Sequence, residues 1–255
     1  MEYQVPNPPT EDKEKAMTNL EGRVFAVTGG SSGIGAALGP ALAETGAKVV
    51  LGARRRDRLT EIIRPLGDAA HAVEMDVSRP DDSRRLVQET IDTFGKIDGI
   101  IANAGIGMYG GILDNTDDEL AEMLDTNVAG TVWPIRAAVP HLREQGEGDI
   151  IIVSSVAGLR GAENEAVYAA TKHAQVGLAG GLDRELHREN IRVSTICPGG
   201  VATEFAMGKG RTEGAPELDD MMSAREVADV IVSVLERPRN LRTLVYSLRG
   251  IVEPD

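Results

Sequence analysis

Short apolar segments alternate along the chain with longer segments in which apolar residues recur at helical spacing. The first apolar segment, residues 23–27, is rich in β-branched side chains and lies between two glycines, as buried strands often do. Segments of this kind predict seven strands, at residues 23–27, 48–51, 70–75, 99–102, 149–153, 192–196 and 243–247. The helical spacing between them predicts helices at residues 34–45, 57–66, 81–94, 117–144, 166–188 and 224–236.

The alternation of strands and helices indicates the α/β fold class. Strands joined by right-handed helical crossovers form a parallel sheet that is covered by helices on both faces. We therefore predict one doubly wound parallel sheet of about seven strands in a single domain, residues 20–255, because no repeat or linker calls for a second domain. Residues 1–19 are charged and rich in proline, offer little surface to bury, and are predicted to form a flexible arm.

Composition and charge narrow the classes of function. The 255 residues are 42% hydrophobic, which suits one domain with a substantial core. No stretch approaches the ~20 apolar residues of a membrane helix, the N-terminus lacks a signal-peptide pattern, and the sole cysteine, Cys197, suits a reducing compartment. We therefore expect a cytoplasmic protein without a membrane partner. The net charge of −13 argues against nucleic acid as a partner, and the histidines show no metal-ligand spacing, so no metal site is predicted.

A tyrosine and a lysine four residues apart, Tyr168 and Lys172, carry the first candidate chemistry. Residues at this spacing share one face of a helix, so the ammonium can approach the phenol. A nearby positive charge lowers a tyrosine pKa that is ordinarily near ~10, which would make Tyr168 a usable acid or base. Ser155, thirteen residues upstream, could hold a carbonyl or alcohol oxygen. Taken alone, such a pair is more often a solvated feature of a surface helix.

A glycine-rich turn follows the first predicted strand. Residues 28–35 read T-G-G-S-S-G-I-G and lead directly into the helical pattern. Glycines at such a turn let the backbone approach a pyrophosphate, and the helix N-terminus presents N–H groups and a partial positive charge to it. The phosphate loop of nucleotide hydrolases is excluded, because Ala36 and Ala37 stand where that loop needs lysine and then serine or threonine. The segment therefore predicts a dinucleotide-phosphate site.

These two segments resemble the signatures of the short-chain dehydrogenase/reductase family, T-G-x-x-x-G-I-G and Y-x-x-x-K. The resemblance covers roughly residues 20–250. It includes further elements in family order: Asp76-Val77, Asn103-Ala104-Gly105, Asn127, Ser155, and Pro198-Gly199 with Thr203. The resemblance implies a Rossmann-like dinucleotide-binding catalytic domain. It also implies an oxidoreductase that transfers hydride between a nicotinamide cofactor and a small-molecule ketone or secondary alcohol.

The resemblance also implies where the cofactor binds. Ligands of a doubly wound sheet collect at the carboxyl ends of the strands, near the switch in strand order, and the motifs all follow predicted strands. The pyrophosphate would contact the glycine-rich turn, at Gly29, Ser31, Ser32, Gly33, Ile34 and Gly35. The adenosine would contact Asp76, Val77, Asn103, Ala104 and Gly105. The nicotinamide would contact Pro198, Gly199, Val201 and Thr203. Isolated glycines of this kind are as often plain turns.

The end of the second predicted strand bears on the choice between NADP(H) and NAD(H). An NAD enzyme usually carries an acidic side chain there, which binds the ribose 2′-hydroxyl and would repel a 2′-phosphate. This chain has Ala53 at that position, followed by Arg54, Arg55 and Arg56, and guanidinium groups suit phosphate. NADP(H) is therefore favoured, with Arg54 and Arg55 as its ligands and NAD(H) as the alternative. A solvated basic start of the next helix would explain Arg56 equally well.

The family reaction implies roles for four predicted catalytic residues. Ser155 would bind the substrate oxygen, and Tyr168 would donate the proton in reduction and remove it in oxidation. Lys172 would lower the Tyr168 pKa and bind the nicotinamide ribose, and Asn127 would kink or hydrate its helix and connect Lys172 to solvent through water. Two other functions remain open: a cofactor-free lyase or dehalogenase on the same fold, and a protein that senses NADP(H) without turnover. Such relatives usually lack motif residues that are present here.

The helices predicted at 117–144 and 166–188 are rich in small residues, among them Ala174, Gly177 and Gly180 in the second. In the family these helices form a subunit interface, which implies a homo-oligomer, either a tetramer with two-fold axes or a dimer. The alternative is that the small residues face their own sheet. The substrate pocket is expected from residues 106–111, 158–167 and 204–222.

Overall fold

A computed structural model describes residues 16–252. The strands in this part of the chain are β1 (Val24–Thr28), β2 (Lys48–Ala53), β3 (Ala70–Glu74), β4 (Gly99–Ala102), β5 (Gly148–Val153), β6 (Ile191–Pro198), β7 (Val201–Ala202), β8 (Met222–Ser223) and β9 (Val245–Leu248). The α-helices are α1 (Gly33–Glu44), α2 (Arg56–Ile63), α3 (Pro80–Phe94), α4 (Asp117–Leu124), α5 (Gly130–Gln145), α6 (Ala166–Leu186) and α7 (Ala224–Leu235).

Seven of the strands form one parallel sheet in the order β3-β2-β1-β4-β5-β6-β9. On β1 the register pairs Val27 with Leu51 of β2 on one side and with Ile101 of β4 on the other. The chain moves outward to β3, returns past β1 and continues through β4, so the strand order switches between β1 and β4. This arrangement confirms the predicted α/β class and the doubly wound parallel sheet, and it opens a crevice at the carboxyl ends of β1 and β4.

Side chains that alternate along the strands build a core on each face of the sheet. Phe25 and Val27 of β1 belong to the core that contains apolar residues of α1 and α7. Ala26 of β1 and Ile100 of β4 belong to the second core, with apolar residues of α3 and α5. Because both faces are covered, the central strands are buried throughout and read as continuous apolar runs.

The predicted helix at 117–144 is interrupted. It comprises α4 and α5 with a π-helical segment, Asp125–Ala129, between them, and Asn127 lies at the centre of that segment. The helix is therefore irregular at Asn127, where a wider, π-helical turn lies. A short parallel pair, β7 with β8, was not predicted, because two-residue strands carry no periodic signal.

The segment before β1 is attached to the end of α7. The Thr18 backbone N–H donates to the Glu236 carbonyl at 2.7 Å, and its hydroxyl donates to the Arg237 carbonyl at 2.8 Å. Residues 1–15 of the predicted arm lie outside the described residues. None of the helices within residues 16–252 combines the length and apolarity that a membrane crossing requires.

Candidate active site

The carboxyl ends of β1, β4, β5 and β6 open into a cleft of about 1000 Å³. All but two of the predicted catalytic and cofactor-binding residues line this cleft. The two exceptions are Gly35 and Asn127, which are buried behind its wall. The sheet topology thus brings together side chains that are up to 174 positions apart in the chain, from Gly29 to Thr203.

The glycine-rich turn is held close to the neighbouring strand end. Gly29 has a φ of +72°, and a Cβ there would lie 2.8 Å from the Ala104 Cα. A Cβ on Gly35 would lie 2.2 Å from the Gly29 carbonyl oxygen, so α1 begins directly against the turn. The side chain of Ser32, the N-cap of α1, makes no capping hydrogen bond. Backbone N–H groups at the start of α1 are therefore not capped by that side chain, as a pyrophosphate-binding helix requires.

Hydrogen bonds between β1 and β4 fix the switch point. The Thr28 hydroxyl oxygen accepts from the backbone N–H groups of Asn103 and Ala104, each at 3.1 Å. The Asn103 side-chain amide donates to the Thr28 carbonyl at 2.9 Å. Asn103 therefore keeps the two strand ends together, and its side chain positions the glycine turn as well as lining the cleft.

The predicted adenine-contacting residue Asp76 is held by its own loop. Its carboxylate accepts from the Ser78 N–H at 2.9 Å and from the Ser78 hydroxyl at 2.8 Å. Burial alone would raise the Asp76 pKa, but the Ser78 hydrogen bonds and the nearby Arg54 and Arg79 guanidinium groups bring it below its ordinary value. The side chain is therefore a fixed anion at the rim of the cleft.

Two arginines after β2 have different surroundings. Arg54 is 65% exposed and its only ion pair within the described chain is a loose one, 3.6 Å from Glu122. Arg55 donates to the Glu204 carboxylate at 2.9 Å and, more weakly, to the Ser31 hydroxyl at 3.3 Å. The Arg55 hydrogen bond also lowers the Glu204 pKa from its ordinary value. Glu204 was not predicted to act here, because it lies 149 residues from Arg55 and on a loop without a motif.

Tyr168 lies at the floor of the cleft between two aromatic rings. Its ring centroid is 5.6 Å from that of Tyr109 and 5.7 Å from that of Phe205. Burial raises the Tyr168 pKa above its ordinary value, Tyr109 adds to this effect, and a hydrogen bond with Ser155 opposes it. The Ser155 hydroxyl also accepts from the Ala157 N–H at 3.1 Å. Tyr168 and Ser155 therefore both line the cleft with a hydroxyl group.

The position of Lys172 corrects one expectation. Its ammonium lies 5.7 Å from the Tyr168 ring centroid and donates to the Val153 carbonyl at 3.2 Å and to the Gln175 side-chain oxygen at 3.0 Å. Burial lowers the Lys172 pKa to about 8. The Tyr168 pKa is raised and not lowered as expected, because burial of the phenol outweighs any stabilisation of the phenolate by the ammonium, which is directed at other acceptors.

Asn127 is fully buried and holds the loop after β4. Its side-chain oxygen accepts from the Ile106 N–H at 2.8 Å, and its amide donates to the Ile106 carbonyl at 2.8 Å and to the Thr171 hydroxyl at 3.0 Å. Its main-chain carbonyl accepts from the Gln175 side-chain amide at 2.9 Å. Gln175 was not predicted as a site residue. The available signal was a glutamine three residues after Lys172, in a helix otherwise rich in alanine and glycine.

The outer walls of the cleft come from all three expected substrate segments, and the second one contributes Arg160, Ala162 and Glu165. Met108 and Tyr109 follow β4, and Phe205 and Met207 lie on the loop after β7. Arg211 lies 5.7 Å from the Phe205 ring centroid and donates to the Val201 carbonyl at 2.9 Å, which ties this loop back to the sheet. The cavity beside Tyr168 thus combines apolar and aromatic side chains with charged ones, among them Arg160, Glu165 and Arg211.

Comparisons with known proteins agree with this geometry. The family profile described as short chain dehydrogenase matches residues 23–214. An uncharacterized oxidoreductase of Staphylococcus saprophyticus is 36% identical over 222 residues, which are 86% of this chain and 90% of that protein. An alcohol dehydrogenase from the archaeon Thermococcus sibiricus, complexed with 5-hydroxy-NADP, superposes with a TM-score of 0.82 at 27% identity, covering 91% of this chain and 98% of its own.

A 3-ketoacyl-(acyl-carrier-protein) reductase from Brucella melitensis, complexed with NADH, superposes with a TM-score of 0.84 at 28% identity and the same coverage of the two chains. Structural neighbours thus bind either phosphorylated or unphosphorylated nicotinamide dinucleotides, which supports a nicotinamide cofactor and leaves the preference open. The predicted family is confirmed by the profile match and by the relatives. The chain belongs to the short chain dehydrogenase family and is an oxidoreductase.

Proposed function

We propose that the protein is an NADP(H)-dependent oxidoreductase that interconverts a ketone and a secondary alcohol. The observation that carries this proposal is the convergence of the Tyr168 and Ser155 side chains in the cleft that also contains the glycine-rich turn. A proton donor and a second hydrogen-bonding hydroxyl beside a dinucleotide cradle are the groups that carbonyl reduction requires.

The residues of the turn fit the dinucleotide. The φ of +53° at Gly33 disfavours a side chain there, and the close contacts at Gly29 and Gly35 leave no room for one. The uncapped start of α1 offers N–H groups to a pyrophosphate. When bound, the cofactor supplies hydride for reduction and accepts it in oxidation.

In reduction, Ser155 would donate a hydrogen bond to the substrate carbonyl oxygen, and Tyr168 would transfer its proton to the same oxygen. The raised Tyr168 pKa suits the acid role, because the phenol keeps its proton at neutral pH. The transfer leaves a phenolate, which the Lys172 ammonium, 5.7 Å from the ring centroid, would stabilise by charge. In oxidation the same phenolate would take the proton from the alcohol.

The preference for NADP(H) rests on Arg54. Its side chain is 65% exposed and only loosely paired with Glu122, so it can turn toward a 2′-phosphate beside Ala53 without losing a strong contact. Arg55 is held by Glu204 and is the less available of the two. No carboxylate stands at position 53 to repel the phosphate.

We also propose that α6 joins two copies of the chain. A Cβ on Gly177 or on Gly181 would meet nothing within 4 Å, so these glycines do not face their own sheet. Ala170 and Ala174 are exposed on the same side of α6, whereas Ala179 is buried on the other. Such a face lets a symmetry-related helix approach closely, which supports a dimer or a two-fold tetramer.

Replacing Tyr168 with phenylalanine tests the proposed reaction. The ring contacts would be retained and the proton donor removed, so turnover of the best ketone should fall about 10²- to 10⁴-fold while cofactor affinity changes little. Cofactor oxidation with a panel of ketones and β-ketoesters measures turnover, and fluorescence titration measures cofactor binding. Tyr246→Phe on β9 removes a phenol outside the cleft and is the matched control. Near wild-type turnover in Tyr168→Phe would contradict the mechanism.

A further inference from the structure

The side chain of Gln175 joins two of the site residues directly. It lies on α6, close to one turn beyond Lys172, and only 1% of it is exposed. Its oxygen accepts from the Lys172 ammonium at 3.0 Å. Its amide nitrogen donates to the Asn127 main-chain carbonyl at 2.9 Å and to the Thr131 hydroxyl at 2.8 Å. Both donors and the acceptor of the amide are therefore used inside the protein.

The hydrogen-bond pattern fixes the orientation of this amide. The Thr131 hydroxyl gives its own proton to the Asn127 carbonyl at 2.7 Å, so it can only accept from Gln175. The nitrogen of Gln175 must therefore face Thr131 and Asn127, and its oxygen must face Lys172. The same contacts use both lone pairs of the Asn127 carbonyl, one for Thr131 and one for Gln175, which leaves no acceptor position for the water expected between Asn127 and Lys172.

Gln175 also supplies the polar environment of a buried charge. Lys172 has no carboxylate partner among residues 16–252, and two of its three N–H groups are taken by Val153 and Gln175. The titratable groups that face it are Tyr168 on α6 and Cys197 on β6. Burial raises the pKa of the Cys197 thiol, so this group is neutral near neutral pH; a charge on Cys197 would raise the Lys172 pKa, but burial of the ammonium outweighs that effect. A neutral amide is therefore the side-chain acceptor that holds the ammonium.

We propose that Gln175 is a positioning residue of the active site, which holds the Lys172 ammonium and links it to the Asn127 carbonyl in place of a bridging water. The expected effect of Gln175 on the reaction rate rests on the proposed function. The expected effect of Gln175 on the Lys172 pKa does not depend on that function. The third N–H of the ammonium is left for a ligand in the cleft, and the amide keeps that group at a constant position relative to Tyr168.

Two substitutions should move the titration of Lys172 in opposite directions. Gln175→Met keeps the length of the side chain and removes the acceptor, so the Lys172 pKa should fall by about one to two units, the effect of one hydrogen bond to a charged group. Gln175→Glu places a carboxylate beside the ammonium and should raise that pKa. Thr90→Val removes a buried hydroxyl on α3, which donates to the Leu86 carbonyl at 2.7 Å, and is the control for a merely structural loss.

The pKa of Lys172 can be read without turnover, by NMR of lysine labelled with ¹³C at Cε in the full chain, with Lys172→Met to assign the signal. Opposite shifts in the two Gln175 variants, and none in Thr90→Val, support the inference. An unchanged Lys172 pKa in both variants overturns it, and if Gln175→Met does not fold, the result with Gln175→Glu decides alone. The alkaline limb of the reduction rate should follow the measured pKa. If the Lys172 pKa shifts in a variant but the alkaline limb of its reduction rate stays at the wild-type pH, the result would contradict the proposed function and would still support the role of Gln175.

Discussion

Replacing Lys172 with methionine should change how the stability of the fold depends on pH. Burial lowers the Lys172 pKa from an ordinary 10.5 to about 8. Below about pH 8 Lys172 is protonated in both the folded and the unfolded chain. Burying the charged ammonium then lowers the free energy of unfolding by about 3 kcal/mol, which is the free energy that corresponds to the difference between the two pKa values. As the pH rises above the folded-state pKa, the folded chain releases the proton first, and this cost disappears progressively.

The expected magnitude follows from the two pKa values. Between about pH 7 and about pH 9.5 the wild-type protein should gain about 2 kcal/mol of stability relative to Lys172→Met, because only the wild type sheds the cost of its buried charge. The absolute difference at one pH also contains the unpaired Val153 and Gln175 oxygens that the substitution leaves behind. This contribution does not vary with pH. The pH dependence of the difference in unfolding free energy between the two proteins therefore reports only the titration of Lys172.

Urea unfolding at a series of pH values measures both proteins at one protomer concentration, since self-association would add to stability. Tyr168→Phe is the matched control, because burial moves the Tyr168 pKa above its ordinary value of 10.0 and the phenol does not titrate in this window. Its stability difference from the wild type should be constant with pH. A constant difference for Lys172→Met as well would show that the ammonium is hydrated in the folded state and would refute the reasoning.

Two further predictions concern the cofactor and the assembly. Ala53→Asp with Arg54→Gln should shift the preference from NADPH toward NADH by about one to two decades, since a carboxylate replaces a phosphate ligand. Steady-state kinetics with both cofactors measure this, with Arg84→Gln on α3 as the control, and a wild-type preference for NADH would contradict it. Gly177→Trp should dissociate the proposed oligomer and lower activity at the same time, which light scattering and activity assays measure. The control, Gln88→Trp on the exposed side of α3, should change neither. A fully active wild-type monomer would rule out the interface.

The order of the strands and helices could be predicted because each element has a pattern of apolar and polar residues that are close together in the sequence. Buried parallel strands read as apolar runs, helices repeat with a period of 3.6, and the turn at residues 28–35 carries glycines where the chain approaches its neighbours most closely. The pairing of Tyr168 with Lys172 also follows from spacing on one helix. These features depend on residues that are near each other in the sequence.

The features that sequence reasoning missed depend on contacts between distant elements. Gln175 meets Asn127 across 48 positions of the chain, and Arg55 meets Glu204 across 149. The direction of the Tyr168 pKa shift depends on how completely Tyr109 and Phe205 cover the phenol, and neither spacing nor composition contains that information. Burial and long-range partners decide the electrostatics of this site, and both appear only when the sheet is assembled.

Burial acts in opposite directions on the pKa values of the two central groups of the site. It raises the pKa of Tyr168 and lowers that of Lys172, because in each case it disfavours the charged form. When reduction converts the phenol to a phenolate, the ammonium gains an opposite charge nearby and binds its proton more tightly. An alkaline limb in the reduction rate near the Lys172 pKa would therefore report the loss of the ammonium charge that stabilises the phenolate. In this arrangement, the Gln175 side chain holds the Lys172 ammonium, and the rings of Tyr109 and Phe205 cover the Tyr168 phenol.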